Sequence, residues 1–424
     1  MRFNTLLTFF AAASLVASTP LNLLSPILKV LNDADVIPNK WIIVMKDMSD
    51  SDFDSHLLSR PASIISGTKS TFNFGGMKGY TGTFSQSLLE LIASGLNIAW
   101  IEPDTVVNTQ VVNLQSNAPW GLGRISRRAK GSTTYRSDSS AGEGTYVYVL
   151  DTGIYTAHRE FEGRATFGAN FVGDGQNTDS NGHGTHVAGT IGSRAYGVAK
   201  KTNLIDVKVL GANGAGAISN IINGIQWAVN DMKSKGRVGK ALANLSLGSS
   251  FSQAVNDAVA AAVQEGLFMG VAAGNANVDV SGKSPASAPT ACTVAASDEA
   301  DAKAYYSNFG SLVDVFAPGS NILSTWIGGV DNTNTVSGTS MATPHVVGLA
   351  AYFIRLEGSR APVQLCDRLK AWSSKNILTG VPAGTPNVLV YNANATFSEN
   401  TLPIISLTTF KNVLLTSHVS VFKT

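Results

Sequence analysis

The chain has 424 residues, room for two or three domains, and its net charge of +2 gives no global reason to expect nucleic acid or an anionic membrane as partner. Hydrophobic residues make up 44% and charged residues only 14%, so the surface has to be unusually neutral and rich in Gly, Ser, Thr and Asn, as in many secreted enzymes. Two cysteines occur, Cys292 and Cys366; an even count in an exported chain favours one disulfide, with two buried free thiols as the alternative.

In chain order, Met1 to Asn4 carries one positive charge and Leu6 to Ala17 is an apolar stretch that ends in small residues, the layout of a secretory signal peptide over 1–19. It is too short to span a bilayer, and no later stretch reaches about 18 uninterrupted apolar residues, so export and release are expected. Within 20–111, Trp41 to Met45 and Ile98 to Glu102 read as strands. Gln86 to Ser94 repeats Leu88, Leu89, Leu91 and Ile92 at helical spacing, and together these predict a small α+β domain. Asn108 to Asn117 lacks periodicity and reads as an exposed connector. The basic cluster Arg124, Arg127, Arg128 and Lys130 reads as a solvated face.

From Pro119 strands and helices alternate. Tyr146–Leu150, Leu204–Leu210, Ala241–Leu247 and Leu267–Ala272 read as strands. Ile218 to Met232 marks a helical face, and Gln253 to Gln264 is a helix closed by Gly266. Such alternation predicts an α/β fold with a mostly parallel sheet, whose active groups collect beyond the carboxyl ends of the strands. Residues 396–424 mix short apolar runs with Ser and Thr and suggest no function.

Four segments carry chemistry. Asp151 closes a strand and opens Asp151-Thr152-Gly153; an aspartic dyad would need a second such motif, which is lacking, and a plain turn aspartate is the other reading. Asn181-Gly182-His183-Gly184-Thr185-His186 supplies an imidazole; a metal site would want further ligands at suitable spacing, and His186 reads as a buried structural histidine. Gly274-Asn275 sets a side-chain amide just past a strand, where it is either a turn residue or an oxyanion donor. Gly338-Thr339-Ser340-Met341-Ala342 sets a serine at the mouth of an apolar helix, either as a cap or as a nucleophile, with Pro344 expected in the first turn. Carboxylate, imidazole, serine and donors are the parts of nucleophilic acyl transfer, here in the order Asp, His, Ser.

On these motifs, and on Ala118-Pro119-Trp120-Gly121-Leu122, residues 117 to 395 resemble the subtilisin-like serine proteases (subtilases), proteinase K group. The resemblance implies a three-layer subtilisin-like catalytic domain over 112–395. It is preceded by a ferredoxin-like inhibitory propeptide over 20–111 that is cut off near Val111 to Asn113. It implies Asp151, His183 and Ser340 as the triad and Asn275 as oxyanion donor. Substrate would lie between Leu210–Gly216, with Gly214, and Ser246, Leu247 and Gly248; the first pocket would be walled by Ala272, Ala273 and Gly274 and take apolar or aromatic residues. No catalytic cofactor is implied. A structural calcium is expected on Pro289, Ala291 and Asp314, a second calcium site lacks its acid in Lys375 to Leu378, and Cys292–Cys366 matches one of the group's two disulfides. The expected partners are protein substrates and the chain's own propeptide, with no nucleic acid or membrane, and the expected form is a secreted monomer. A catalytically silent binding protein is the alternative, set against an intact set of four site residues. Of the sequons at Asn244 and Asn394, the first lies in a predicted core strand and is expected to stay unmodified.

Overall fold

A computed structural model describes residues 36–105 and 112–393. The expected signal peptide, the tail 396–424, Asn394 and part of the expected cleavage region lie outside the described residues. The chain divides after residue 108 into two compact units.

The first unit runs β1 (Val36–Met45), α1 (Asp50–Ser59), α2 (Ala62–Gly67), β2 (Thr68–Phe74), β3 (Met77–Thr83), α3 (Gln86–Ala93) and β4 (Ile98–Thr105). The strands form one antiparallel sheet in the order β2-β3-β1-β4, the ferredoxin-like arrangement expected. Its local logic is readable. Ser49 and Ser85 cap α1 and α3 by accepting the backbone N–H of Asp52 and Leu88. Gly75 and Gly76, with φ of 57° and 85°, make the tight turn between β2 and β3. Ile43, Phe53, Tyr80, Phe84, Leu89 and Ile101 form its core.

The second unit begins with β5 (Val112–Gln115), α4 (Trp120–Ile125) and β6 (Tyr135–Asp138). Here the exposed connector needs correction, since Val112 to Gln115 pair antiparallel with Asp138 to Tyr135. This edge strand leaves Leu114 in solvent, so no inward stripe announced it. The basic cluster is also not a uniform solvated face: Arg124 is buried and holds Asp301 through two hydrogen bonds of 2.7 and 3.1 Å.

The main sheet is built from β7 (Tyr146–Asp151), β8 (Ala165–Asn170), β9 (Asn203–Lys208), β10 (Ala241–Leu245), β12 (Phe268–Ala272), β14 (Cys292–Ser297), β15 (Val315–Pro318), β18 (Ser374–Lys375) and β19 (Val388–Leu389), with β11 (Ser249–Ser250) and β13 (Lys283–Ser284) forming a separate ladder. Its order is β18-β19-β15-β14-β12-β10-β7-β9-β8, and every pair except β18–β19 is parallel. A further hairpin joins β16 (Ile322–Thr325) to β17 (Thr333–Val336). One face of the sheet is covered by α5 (His183–Gly192), α8 (Thr339–Glu357) and α9 (Pro362–Trp372), the other by α6 (Ile218–Ser234) and α7 (Gln253–Gln264). This is the three-layer architecture expected. Strands buried on both sides account for their near-continuous apolar runs.

β9 ends two residues before the predicted Leu210 because the Asp151 carbonyl takes both following amides, Val209 and Leu210, at 2.9 and 3.0 Å. Cys292 and Cys366 are bonded, joining β14 to α9. Asn244 is fully buried in β10. No described helix is long and apolar enough to cross a membrane.

Candidate active site

Chain order changes direction in the sheet at β7, whose neighbours β9 and β10 lie on opposite sides. The crevice beyond such a switch point is where α/β sheets place their ligands. Asp151 is the last residue of β7 and is fully buried. Its Oδ1 accepts from His183 Nδ1 at 2.7 Å and from the Thr152 N–H at 2.8 Å. A carboxylate can only accept, so Nδ1 carries the ring proton and Nε2 is left as the basic nitrogen. Burial resists charging of His183, but the charge and hydrogen bond of Asp151, with Asp179 behind it, prevail and hold the imidazole above its usual 6.5.

Both motifs hang on one carboxylate that the sequence reading passed over. Asp179 Oδ1 accepts Thr152 Oγ1, Asn181 N and Gly182 N, each at 2.9 Å, while Oδ2 takes Thr185 N at 2.9 Å and Thr185 Oγ1 at 2.6 Å. The signal for it was an acid four residues before His183, where the first-turn amides of α5 need acceptors. Lys208, fully buried, donates to Thr152 O at 2.6 Å and Leu210 O at 3.0 Å, pinning the turn after Asp151. Asp206 accepts the Ile154 N–H at 3.0 Å, and burial pushes its carboxyl up to about 7 against that pull. His186 bonds Ile322 O at 2.9 Å and is lowered by burial to about 4, so it is neutral and structural, as expected.

Ser340 is the second residue of α8. Its Oγ donates to Ser246 O at 3.1 Å rather than to His183. Because α8 starts at Thr339, Pro344 falls past the first turn, and the expectation that it costs no partner is corrected. The acceptor it strands is Ser340 O, and Ser246 Oγ donates to it instead at 2.8 Å. The proline thus frees a carbonyl that ties the serine to the end of β10.

Of the first amides of α8, Thr339 N bonds Asn275 Oδ1 at 2.8 Å, and Met341 N and Ala342 N bond Gly338 O. The Ser340 N–H has no partner among the described residues. Asn275 Oδ1 also accepts Thr339 Oγ1 at 2.8 Å, which fixes the amide's orientation and turns Nδ2 loose as a donor. Ser340 and Asn275 line the same pocket. Asn308, also missed in the sequence, is buried and braces the loop carrying Asn275: Nδ2 donates to Ala273 O at 2.8 Å, and Oδ1 accepts Ala276 N and Val278 N at 3.0 Å.

Two recesses flank the site. One, of about 390 Å³, is lined by Leu247, Gly248, Ala272, Ala273, Gly274, Asn275 and Ser340, among others. The other, of about 350 Å³, includes His183, Leu210, Gly214, Ile218 and Ser246. The residues expected to bind substrate are therefore brought together.

Asp314 is placed differently from a free metal ligand. Oδ2 accepts the Thr293 N–H at 2.9 Å, and Oδ1 faces Lys370 Nζ at 3.2 Å, whose ammonium also reaches Asp367 at 2.8 Å. Burial holds the Asp314 carboxyl above its usual value, with Thr293 and Lys370 pulling the other way. A calcium ion bound through Asp314 would have to compete with that ammonium for Oδ1.

The subtilase family's sequence profile matches residues 142–386. A cuticle-degrading protease of Metarhizium anisopliae is 54% identical over 314 residues, 74% of this chain and 80% of its own length. Subtilisin-like protease 7 of Arthroderma gypseum is 48% identical over 382 residues, 87% of this chain and 94% of its own. Among solved structures, a cold adapted subtilisin-like serine proteinase superposes with a TM-score of 0.62 at 43% identity, covering 65% of this chain and 99% of that one. Fold and relatives define an α/β peptide hydrolase. The chain belongs to the subtilase family and is a serine endopeptidase, which needs no catalytic cofactor.

Proposed function

We propose that the protein is secreted as a zymogen and cleaves peptide bonds through an acyl-enzyme on Ser340. What carries the catalytic part of this reading is a pair of donors without a partner among the described residues, the Ser340 N–H and Asn275 Nδ2, on two residues that line one pocket. His183 Nε2 takes the Ser340 proton as Oγ attacks the scissile carbonyl, and Asp151 stabilises the imidazolium that forms. The two donors hold the oxyanion, and His183 then protonates the leaving amine. Water repeats the sequence to release the acid. Substrate lies extended between 210–216 and 246–248, adding a strand to both. The small residues Ala272 to Gly274 leave room for large apolar or aromatic side chains before the scissile bond.

Export rests on the layout of residues 1–19, and the unit before residue 108 is read as the inhibitory propeptide, removed by self-cleavage near Val111 to Asn113. N-terminal sequencing and intact mass of the secreted protein, with casein hydrolysis as the assay, test this. A mature chain starting near residue 112, active on casein and silenced by a serine-directed inhibitor, is expected; a full-length active chain would refute the zymogen.

We infer further that Lys370 supplies the cation Asp314 needs. EDTA is then expected to leave the melting temperature of the mature protein within about 2 °C of its value in calcium. In Lys370→Met, millimolar calcium is expected to raise it by several degrees, as for any ligand of the folded state. A large EDTA effect on the unmodified protein would show that calcium displaces the ammonium.

A further inference from the structure

The pocket beside Ser340 has one ionisable side chain in its wall. Lys283 sits on β13, its backbone paired with Ser250, and no carboxylate shares the lining with it. Several other lysines of this unit are tied down: Lys303 donates to Asn277 Oδ1 and Ser307 O, Lys208 to two carbonyls, and Lys370 to Asp314. Lys283 Nζ has no ion-pair or hydrogen-bond partner among the described residues. The nearest acid in sequence, Asp279, spends its carboxylate on the Ser281 N–H at 2.8 Å.

Among the residues that line the pocket, Lys283 is thus the one that carries a full charge, beside the apolar Leu247, Ala272, Ala273 and Ala286. A glutamate side chain matches both parts, its methylenes against the alanines and its carboxylate toward the ammonium. We propose that Lys283 is a specificity-determining residue that makes this subsite accept acidic side chains, glutamate foremost, alongside apolar ones, and reject Lys and Arg. The proposal rests on the reading of this pocket as the one for the residue before the scissile bond. Lys283 is only half-buried, so the preference is a modest, salt-sensitive one, about three- to ten-fold.

The test is a set of succinyl-Ala-Ala-Pro-Xaa p-nitroanilides with Xaa as Glu, Gln, Lys or Phe, given to the mature enzyme and to Lys283→Met and Lys283→Glu. Glu and Gln are nearly isosteric, so their kcat/KM ratio within one variant isolates the charge whatever fraction of that variant is folded. The unmodified enzyme is expected to favour Glu over Gln at low salt and lose the preference in 0.5 M salt (roughly one Debye length of a few ångströms). Lys283→Met is expected to bring the ratio to or below one, and Lys283→Glu to favour Lys over Glu. An unchanged Glu/Gln ratio in Lys283→Met would overturn the proposal. If no peptide, Phe included, were cleaved by the unmodified enzyme, the reading of the site itself would fail and this proposal with it.

Discussion

Ser340→Ala is expected to lower casein turnover by on the order of 10⁶, a magnitude known from a relative and borrowed here. The change removes one hydroxyl, and with it one hydrogen bond to Ser246 O, so stability should fall by no more than about 1 kcal/mol. The helix that carries residue 340 keeps its other ties, since the Ser246 Oγ bond reaches the backbone carbonyl rather than the lost side chain. Loss of activity with the melting transition preserved is thus the expected pair of results. On the zymogen reading, the variant should also accumulate at its unprocessed length and mature only when active enzyme is added.

Asp151→Asn should cost turnover about 10⁴, the size of effect seen when an amide replaces the triad carboxylate elsewhere. An amide at this position can donate to Nδ1, which would move the ring proton to Nε2 and remove the base. Its second effect is on pH dependence. In the unmodified enzyme, activity is expected to rise with pH as His183, the proposed base, loses its proton, and because Asp151 outweighs burial the midpoint is expected above the usual 6.5. Without that negative charge only the weaker pull of Asp179 is left against burial, so the midpoint of the residual activity should move downward. A pH–kcat/KM profile of both proteins measures the shift. A midpoint that stays in place would mean that a group other than His183 is titrating.

The candidate site residues were readable because each stands at a change of backbone regime. Asp151 closes an apolar strand and Asn275 lies just past one, while His183 and Ser340 stand in the first turns of helices that Gly182 and Gly338 precede and whose apolar, small-residue runs mark them as buried. What the sequence could not show was the bracing. Asp179 reaches Thr152, 27 residues earlier, and Asn308 reaches Ala273, 35 residues earlier. Neither side chain has a local periodicity or turn signature that betrays such a distant partner. Arg124 was misread for the same reason: Asp301, which justifies its burial, lies 177 residues away. Pro344 was placed a turn too early because helix starts are only approximate from sequence, and its consequence for Ser340 O depends on a hydroxyl from another strand end. The ferredoxin-like unit was announced by two strands and one helix, but its β2–β3 hairpin was not, as Gly79 and Gly82 interrupt the apolar alternation of β3.

Everything proposed for the reaction requires one serine, Ser340, to be the nucleophile. Treating the mature protein with a fluorophosphonate and mapping the adduct by mass spectrometry tests it most directly. A single adduct on Ser340, formed in step with the loss of casein hydrolysis and strongly slowed in Asp151→Asn, is the predicted result. An adduct on another residue that tracks the loss of activity, or full inactivation with Ser340 unmodified, would contradict it.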